Sequence, residues 1–130
     1  MTEFKVREFM SGESSENNVI LKLTIEFSLE VIEYVTVLES QRQYVIANQL
    51  LKSATSIGAN AHEAQNAESK SDFIHKFKIA AKEVEETKYW LILCNNSKHY
   101  PDASRLQEQL EIIRRIINRI IASSKNINQK

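Results

Sequence analysis

Glycine and proline are almost missing from this sequence. The chain of 130 residues holds two glycines, Gly12 and Gly58, and one proline, Pro101. Sandwiches, barrels and doubly wound α/β folds need frequent turns, and those turns use Gly and Pro. Gly-rich phosphate-binding loops are excluded for the same reason. The shortage therefore predicts long helices with few connections.

Cysteine and long apolar runs are also scarce. Cys94 is the single cysteine, which excludes an intrachain disulfide framework and favours a reducing compartment. The longest apolar run covers residues 89–94, far short of the roughly 20 residues that span a bilayer. The first residues include acids and no apolar core, so they do not resemble a signal peptide. These features predict a cytoplasmic protein that does not enter a membrane.

The charge is balanced overall but uneven along the chain. Lys and Arg number 17, and Asp and Glu also number 17. Acids dominate residues 1–69, whereas bases dominate residues 70–130. A neutral total argues against indiscriminate binding to nucleic acid, and a basic second half leaves local binding open.

Hydrophobic periodicity predicts four helices, at about 18–39, 42–66, 71–95 and 103–123. Residues 1–16 are interpreted as a mobile tail and residues 125–130 as a frayed end. The first helix is ambiguous because apolar and polar residues alternate strictly over residues 21–31, which is typical of a strand. A turn-free segment of that length is too long for one strand, so helix is favoured.

The second helix carries small residues at heptad-like spacing. Its apolar positions recur at intervals of three and four residues at Ala47, Leu50, Ala54, Ile57, Ala61 and Ala64. Gly58 inside a helix costs about 1 kcal/mol relative to Ala, so a close neighbouring helix is expected there. In the third segment, Ser69 followed by Asp72 predicts a capped start.

Four helices with short connections predict an all-α, antiparallel up-down-up-down four-helix bundle. The fourth helix has apolar residues outside its main stripe, at Ile112, Ile116 and Ile121. A small isolated bundle does not need so much apolar surface, so self-association is expected.

Candidate catalytic and metal-binding residues are few. His62 and Glu63 begin like a zinc-protease motif, but the second histidine is missing. His75 and His99 have no partners at ligand spacing, and Cys94 lies on an apolar stripe. We expect no enzyme, no cofactor and no metal, because no nucleophile, base and orienting group converge.

Two groups of residues suggest binding. A basic strip on the fourth helix is a candidate phosphate-binding site, the alternative being a solvated face; it comprises Arg114, Arg115, Arg119 and Lys125. Tyr89 and Trp90 either stack a base or lie in a core or subunit interface.

Local charge pairs are expected on the third helix, between Lys82 and Glu86 and between Glu85 and Lys88. Glu83 would need a donor such as His62 or Asn60 if it faces a neighbouring helix.

Residues 49–94 resemble a known family. Its Ser-Ile-Gly-Ala-Asn-x-x-Glu-Ala motif is matched from Ser56 to Ala64, and a second motif is matched by Ser69, Asp72, Phe73 and Lys76. A third motif is matched from Ala80 through Glu83, Glu86, Tyr89 and Trp90 to Leu91. The chain thus resembles the bacterial four-helix-bundle proteins encoded within 23S rRNA intervening sequences, also labelled S23 ribosomal proteins.

The resemblance implies a left-handed antiparallel bundle that assembles as a homopentamer around a central channel. It also implies kinship with the accessory variability protein of diversity-generating retroelements, a basic pentamer that binds nucleic acid and a reverse transcriptase. The present chain differs from that protein in its zero net charge. The leading hypothesis is a non-enzymatic ring-forming protein with RNA or a ribonucleoprotein as partner, and the alternative is a protein-binding adaptor.

The residues proposed for packing or assembly come from these motifs and their neighbours on the second and third helices. They are Ser56, Gly58, Asn60, His62, Glu63, Glu83, Glu86, Tyr89 and Trp90.

Overall fold

Four α-helices follow one another along the chain. A computed structural model describes residues 16–128, with side chains to residue 125. Residues 1–15 of the interpreted tail and the last two residues lie outside the described part, whereas Glu16, assigned to that tail, begins the first helix. The helices are α1 (Glu16–Ser40), α2 (Tyr44–Ala64), α3 (Lys70–Asn96) and α4 (Ser104–Asn128). No strand occurs in the described residues, so the alternating segment of residues 21–31 is helical.

Helix starts are fixed by local hydrogen bonds. The hydroxyl of Ser69 accepts from the backbone N–H of Asp72 at 3.0 Å, which confirms the capped start of α3. The carboxylate of Asp102 accepts from the backbone N–H of Ser104 at 3.2 Å and so serves the first turn of α4. Arg42 turns the chain between α1 and α2 with a positive φ of 62°.

The predicted end of α4 at residue 123 is wrong. The helix continues to Asn128, and Ser124 is buried. The extension follows from the sequence, because residues 124–128 contain no Gly or Pro that would stop a helix.

The helices form a four-sided bundle in which α1 packs on α2, α2 on α3, α3 on α4, and α4 on α1. Contacts between partners run in opposite chain directions. Asn17, at the start of α1, bonds Gln65, just after α2. Asn95, near the end of α3, bonds Gln107, near the start of α4. These pairs indicate antiparallel neighbours.

The core combines large and small side chains in layers. The largest fully buried side chains include Phe27, Phe77, Leu50, Leu91 and Ile117. Small residues of α2 fill the positions that face α1 and α3. One of them is Ser53, whose hydroxyl accepts a hydrogen bond from the hydroxyl of Thr87 in α3 at 2.9 Å. Such close packing of small residues brings the helix backbones near each other.

One expectation about α4 is partly wrong. Ile116, expected to lie outside the seam, is buried, and Ile121 is half-buried against the core. Of those three isoleucines only Ile112 is exposed. The stripe of α4 is wider than the spacing suggested because α4 packs on both α1 and α3.

Candidate interaction surface

The basic strip of α4 is largely paired with acids. Glu111 binds both Arg114 and Arg115, at 2.5 Å and 3.1 Å. Arg119 binds Glu16 of α1 through Nε at 2.6 Å. The three arginines therefore neutralise carboxylates within the protomer, whereas Lys125 is exposed and has no ion pair among the described residues.

Arg114 differs from the other two arginines in how it is bound. It donates to Glu111 through both Nε and a terminal amine. Arg115 and Arg119 donate only through Nε, and both side chains are more than half exposed. Their terminal amines remain open to a further acceptor, and phosphate is one that guanidinium binds well.

The arginines shift the acidity of their partners. The hydrogen bond from Arg114 lowers the pKa of Glu111 from 4.5 to about 2, with Arg115 adding to the effect. Partial burial raises the pKa of Glu30, but hydrogen bonds from Arg105 and Gln109 outweigh it and leave the pKa below its usual value. The pKa values of both carboxyl groups therefore lie below the usual value for glutamate.

The small-residue motif of α2 is a packing site. A Cβ added to Gly58 would lie 3.0 Å from Cβ of Thr24 in α1, a tighter contact than nearly all real Cβ atoms make. Ser56 is half-buried, and its carbonyl accepts from the side chain of Asn60 at 2.9 Å. The close contact between α1 and α2 thus explains why a glycine occupies this position in the helix.

Other residues of the assembly group lie at helix contacts or at the surface. Glu63 binds Lys76 of α3 at 3.0 Å, and His62 beside it is half-buried. Asn60 bonds its own helix and not Glu83. Burial raises the pKa of Glu83, and neighbouring Glu86 raises it further, while Lys52 opposes the shift.

Neither local charge pair expected on α3 forms a salt bridge. Glu86 instead accepts from Nε1 of Trp90 at 3.1 Å. Lys82, Glu85 and Lys88 have no ion pair among the described residues. The indole N–H of Trp90 thus binds the carboxylate of Glu86 that was expected to pair with Lys82. The spacing of charged residues alone did not reveal this competing donor.

The aromatic pair of α3 lies at the surface. Tyr89 is 54% exposed and meets the ring of Trp90 edge-on, with ring centroids 5.1 Å apart. Trp90 borders an open cavity of about 370 Å³ at the start of α2. The other residues that line the cavity, which sequence reasoning missed, are Arg42, Gln43, Tyr44, Val45, Ile46, Gln49 and Tyr100. Most follow the left-handed turn at Arg42, and no motif marks them.

A groove runs between α3 and α4. It contains two adjacent cavities of about 280 Å³ and 80 Å³. Its floor is apolar, formed by Ala81, Val84, Leu110 and Ile117. Lys82 and Lys88 stand at its edge on the α3 side. The groove thus combines an apolar floor with two lysines that form no ion pair with the side chains described, and Glu85 and Glu111 also line its cavities.

Within the described residues, no group of three or more His, Cys, Asp or Glu side chains is placed to hold a metal ion. Cys94 is buried, and burial raises the pKa of its thiol. None of the helices over residues 16–128 is long and apolar enough to cross a membrane.

The fold and these faces define a small all-α four-helix bundle whose distinctive groups are presented outward. The chain belongs to the 23S rRNA-intervening sequence protein family, whose model matches residues 16–119.

A crystal structure supports this assignment. It is that of a protein of unknown function from the S23 ribosomal protein family of Bacteroides thetaiotaomicron. The two chains are 33% identical, and the match covers 83% of this chain and 99% of the other with a TM-score of 0.78. A comparison with curated proteins gives no match.

Proposed function

We propose that this protein is a non-enzymatic scaffold that assembles as a homo-oligomer, a pentamer as the family resemblance implies, and binds RNA or a ribonucleoprotein. The single observation that carries the proposal is the apolar outward surface of α1 and α3. Ile32 and Val37 of α1 and Leu93 of α3 are exposed, as is Tyr89. Exposed apolar groups of this kind mark protein contacts.

RNA is the proposed partner because of the open arginine amines and the family's association with an rRNA insertion. Arg115 and Arg119 keep their terminal amines available, and Lys125 lies six residues beyond Arg119 on the same helix. Phosphate contacts of this type give affinity that falls steeply with salt. Arg114 is bound twice to Glu111 and contributes least.

Fluorescence anisotropy with a structured RNA at low salt tests the RNA part. Changing Arg115, Arg119 and Lys125 together to Ala is expected to weaken binding at least tenfold and to reduce its salt dependence. Arg114→Ala is the matched control on the same helix and should have a smaller effect. No binding of wild type at tens of micromolar would remove RNA from the proposal.

A protein-binding adaptor is the second candidate. The aromatic cavity formed by Tyr44, Trp90 and Tyr100 favours it, because Tyr and Trp are enriched at protein interfaces. Wild-type protein without RNA affinity would support the adaptor, whereas RNA affinity that the triple substitution leaves unchanged would exclude Arg115, Arg119 and Lys125 as the RNA contacts.

A further inference from the structure

The outward side of α1 is unusually apolar for a surface helix. We define the α1 outer stripe as Ile25, Glu26, Leu29, Ile32 and Glu33, which share one side of the helix opposite the core residues. Ile32 is 44% exposed, and Ile25 and Leu29 are half-buried. A helix that is apolar on both its inner and outer sides is normally covered on both.

The charge of α1 is only partly balanced inside the protomer. Glu16 and Glu30 bind Arg119 and Arg105 of α4. The remaining carboxylates of α1, those of Glu26, Glu33 and Glu39, have no ion pair among the described residues. Lys22 is the one cation of the helix. The outward side of α1 is therefore acidic as well as apolar.

The groove between α3 and α4 has the complementary character. Its floor is apolar and contains the cavities described above. Lys82 and Lys88 of α3 line the groove and have no ion pair among the described residues. Of the acids near them in α3 that also lack an ion pair there, which are Glu83, Glu85 and Glu86, only Glu85 is among the residues that line these cavities. The arginines of α4, in contrast, are occupied by carboxylates of the same protomer.

The spacing of the charges also agrees. Glu26 and Glu33 are seven positions apart along α1, and Lys82 and Lys88 are six apart along α3. At 1.5 Å per residue these separations are about 10 Å and 9 Å. At 3.6 residues per turn, Glu26 and Glu33 lie on one side of α1, whereas Lys82 and Lys88 lie about 120° apart around α3 and border different cavities of the groove. Both ion pairs therefore require the long lysine side chains to reach across the groove edge toward the docked helix, while the isoleucines and leucine enter the groove.

We propose that the α1 outer stripe of one copy of this chain docks into the α3–α4 groove of a second copy. The proposal rests on the self-assembly proposed above and names the surfaces that carry it. Because the two surfaces are different, the contact is head-to-tail, and repetition closes a ring or extends a filament.

Charge reversal followed by light scattering tests the contact. The stripe variant carries Glu26→Lys and Glu33→Lys, and the groove variant carries Lys82→Glu and Lys88→Glu. Each is expected to raise the concentration needed for assembly at least tenfold. The control, Glu68→Lys with Lys98→Glu, reverses exposed charges in the connections and should leave assembly unchanged.

A chain that carries all four substitutions supplies the decisive readout. Each double variant alone carries like charges on its two surfaces, whereas the combined variant offers opposite charges at every junction, whatever the number of copies in the ring. The combined variant should regain the assembled mass, a result that simple misfolding would not produce. Circular dichroism confirms folding, and Glu33→Lys alone replaces the stripe variant if the double change prevents folding.

The outcomes separate this contact from the proposed function. A wild-type chain that stays monomeric at 15 kDa overturns both. A wild-type oligomer that neither variant weakens overturns the contact and leaves assembly intact. Weakening by the groove variant alone would mean that some other part of the copy fills the groove, and a combined variant that stays as weakly assembled as the double variants would refute the charge pairing.

Discussion

Gly58 shows how one missing side chain sets the distance between two helices. Thr24, which faces it, cannot easily turn away, because β-branched side chains are stiff and its hydroxyl donates to the carbonyl of Ile20 at 2.9 Å. Gly58→Ala is therefore expected to destabilise the protein even though Ala is worth about 1 kcal/mol in an ordinary helix. Gly58→Leu should cost more, about 1–3 kcal/mol or above.

Urea denaturation measures both variants of Gly58. The neighbouring Ala59 is exposed and provides the control, since Ala59→Gly should cost about 1 kcal/mol through helix propensity alone. If the protein is more stable with Gly than with Ala at position 58, and more stable with Ala than with Gly at position 59, the difference isolates the contact of residue 58 with Thr24. A higher midpoint for Gly58→Ala would contradict the close approach.

The ion pairs of Glu111 make the free energy of unfolding depend on pH in the acid range. Its pKa is about 2 in the folded protein and 4.5 in the reference state, so it contributes stability that is present above about pH 4.5 and lost as the pH falls toward 2. Glu111→Gln should flatten the fall in urea midpoint over that range. Glu108→Gln on the same helix is the control, and an equal acid sensitivity in all three proteins would contradict the assignment.

At the residue scale, the sequence predicts contacts between near neighbours better than contacts between distant ones. The cap at Ser69 was predicted from spacing and is confirmed, and the ion pair of Glu111 with Arg115 likewise joins residues four positions apart. Arg119 had no acid one turn away, and its partner Glu16 is 103 positions distant. Only the packing of α1 on α4 brings them together, and spacing along one helix carries no information about that.

At the scale of elements, the connection between α3 and α4 is held by side chains of other helices. The hydroxyl of Tyr34 donates to the carbonyl of Pro101 at 2.7 Å, and that of Tyr100 donates to Gln43 at 3.0 Å. Pro101 marks the break in the sequence, but the anchors come from α1 and from the turn before α2. The existence of the four helices was predictable because their apolar periods are long, whereas these anchors were not.

Tyr34→Phe tests the anchor. Removing one hydroxyl leaves a half-buried carbonyl without its donor, which should cost about 1 kcal/mol of unfolding free energy. Hydrogen exchange should also quicken around residues 97–104. Thr36→Val removes an exposed hydroxyl that bonds only its own helix and is the control. Unchanged exchange in Tyr34→Phe would mean that the connection is held by other contacts.

At the scale of the whole molecule, assembly predicts that stability depends on concentration. Binding between folded copies adds free energy by mass action, so the melting temperature should rise when the chain is concentrated a hundredfold. Scanning calorimetry at two concentrations measures this, and the stripe variant, Glu26→Lys with Glu33→Lys, supplies the baseline. Equal melting temperatures for dilute and concentrated wild type would argue against assembly.

The pairing order of the helices has a consequence for the time course of folding. Three of the four helix contacts join segments that follow each other directly, so each forms by closing a short connection. Only α1 and α4 meet across the length of the chain. Local contacts of this kind form quickly, whereas the contact between α1 and α4 has the largest loop-closure entropy cost. The seam between α1 and α4, closed by Glu16 with Arg119 and Glu30 with Arg105, is therefore expected to form last and to open first.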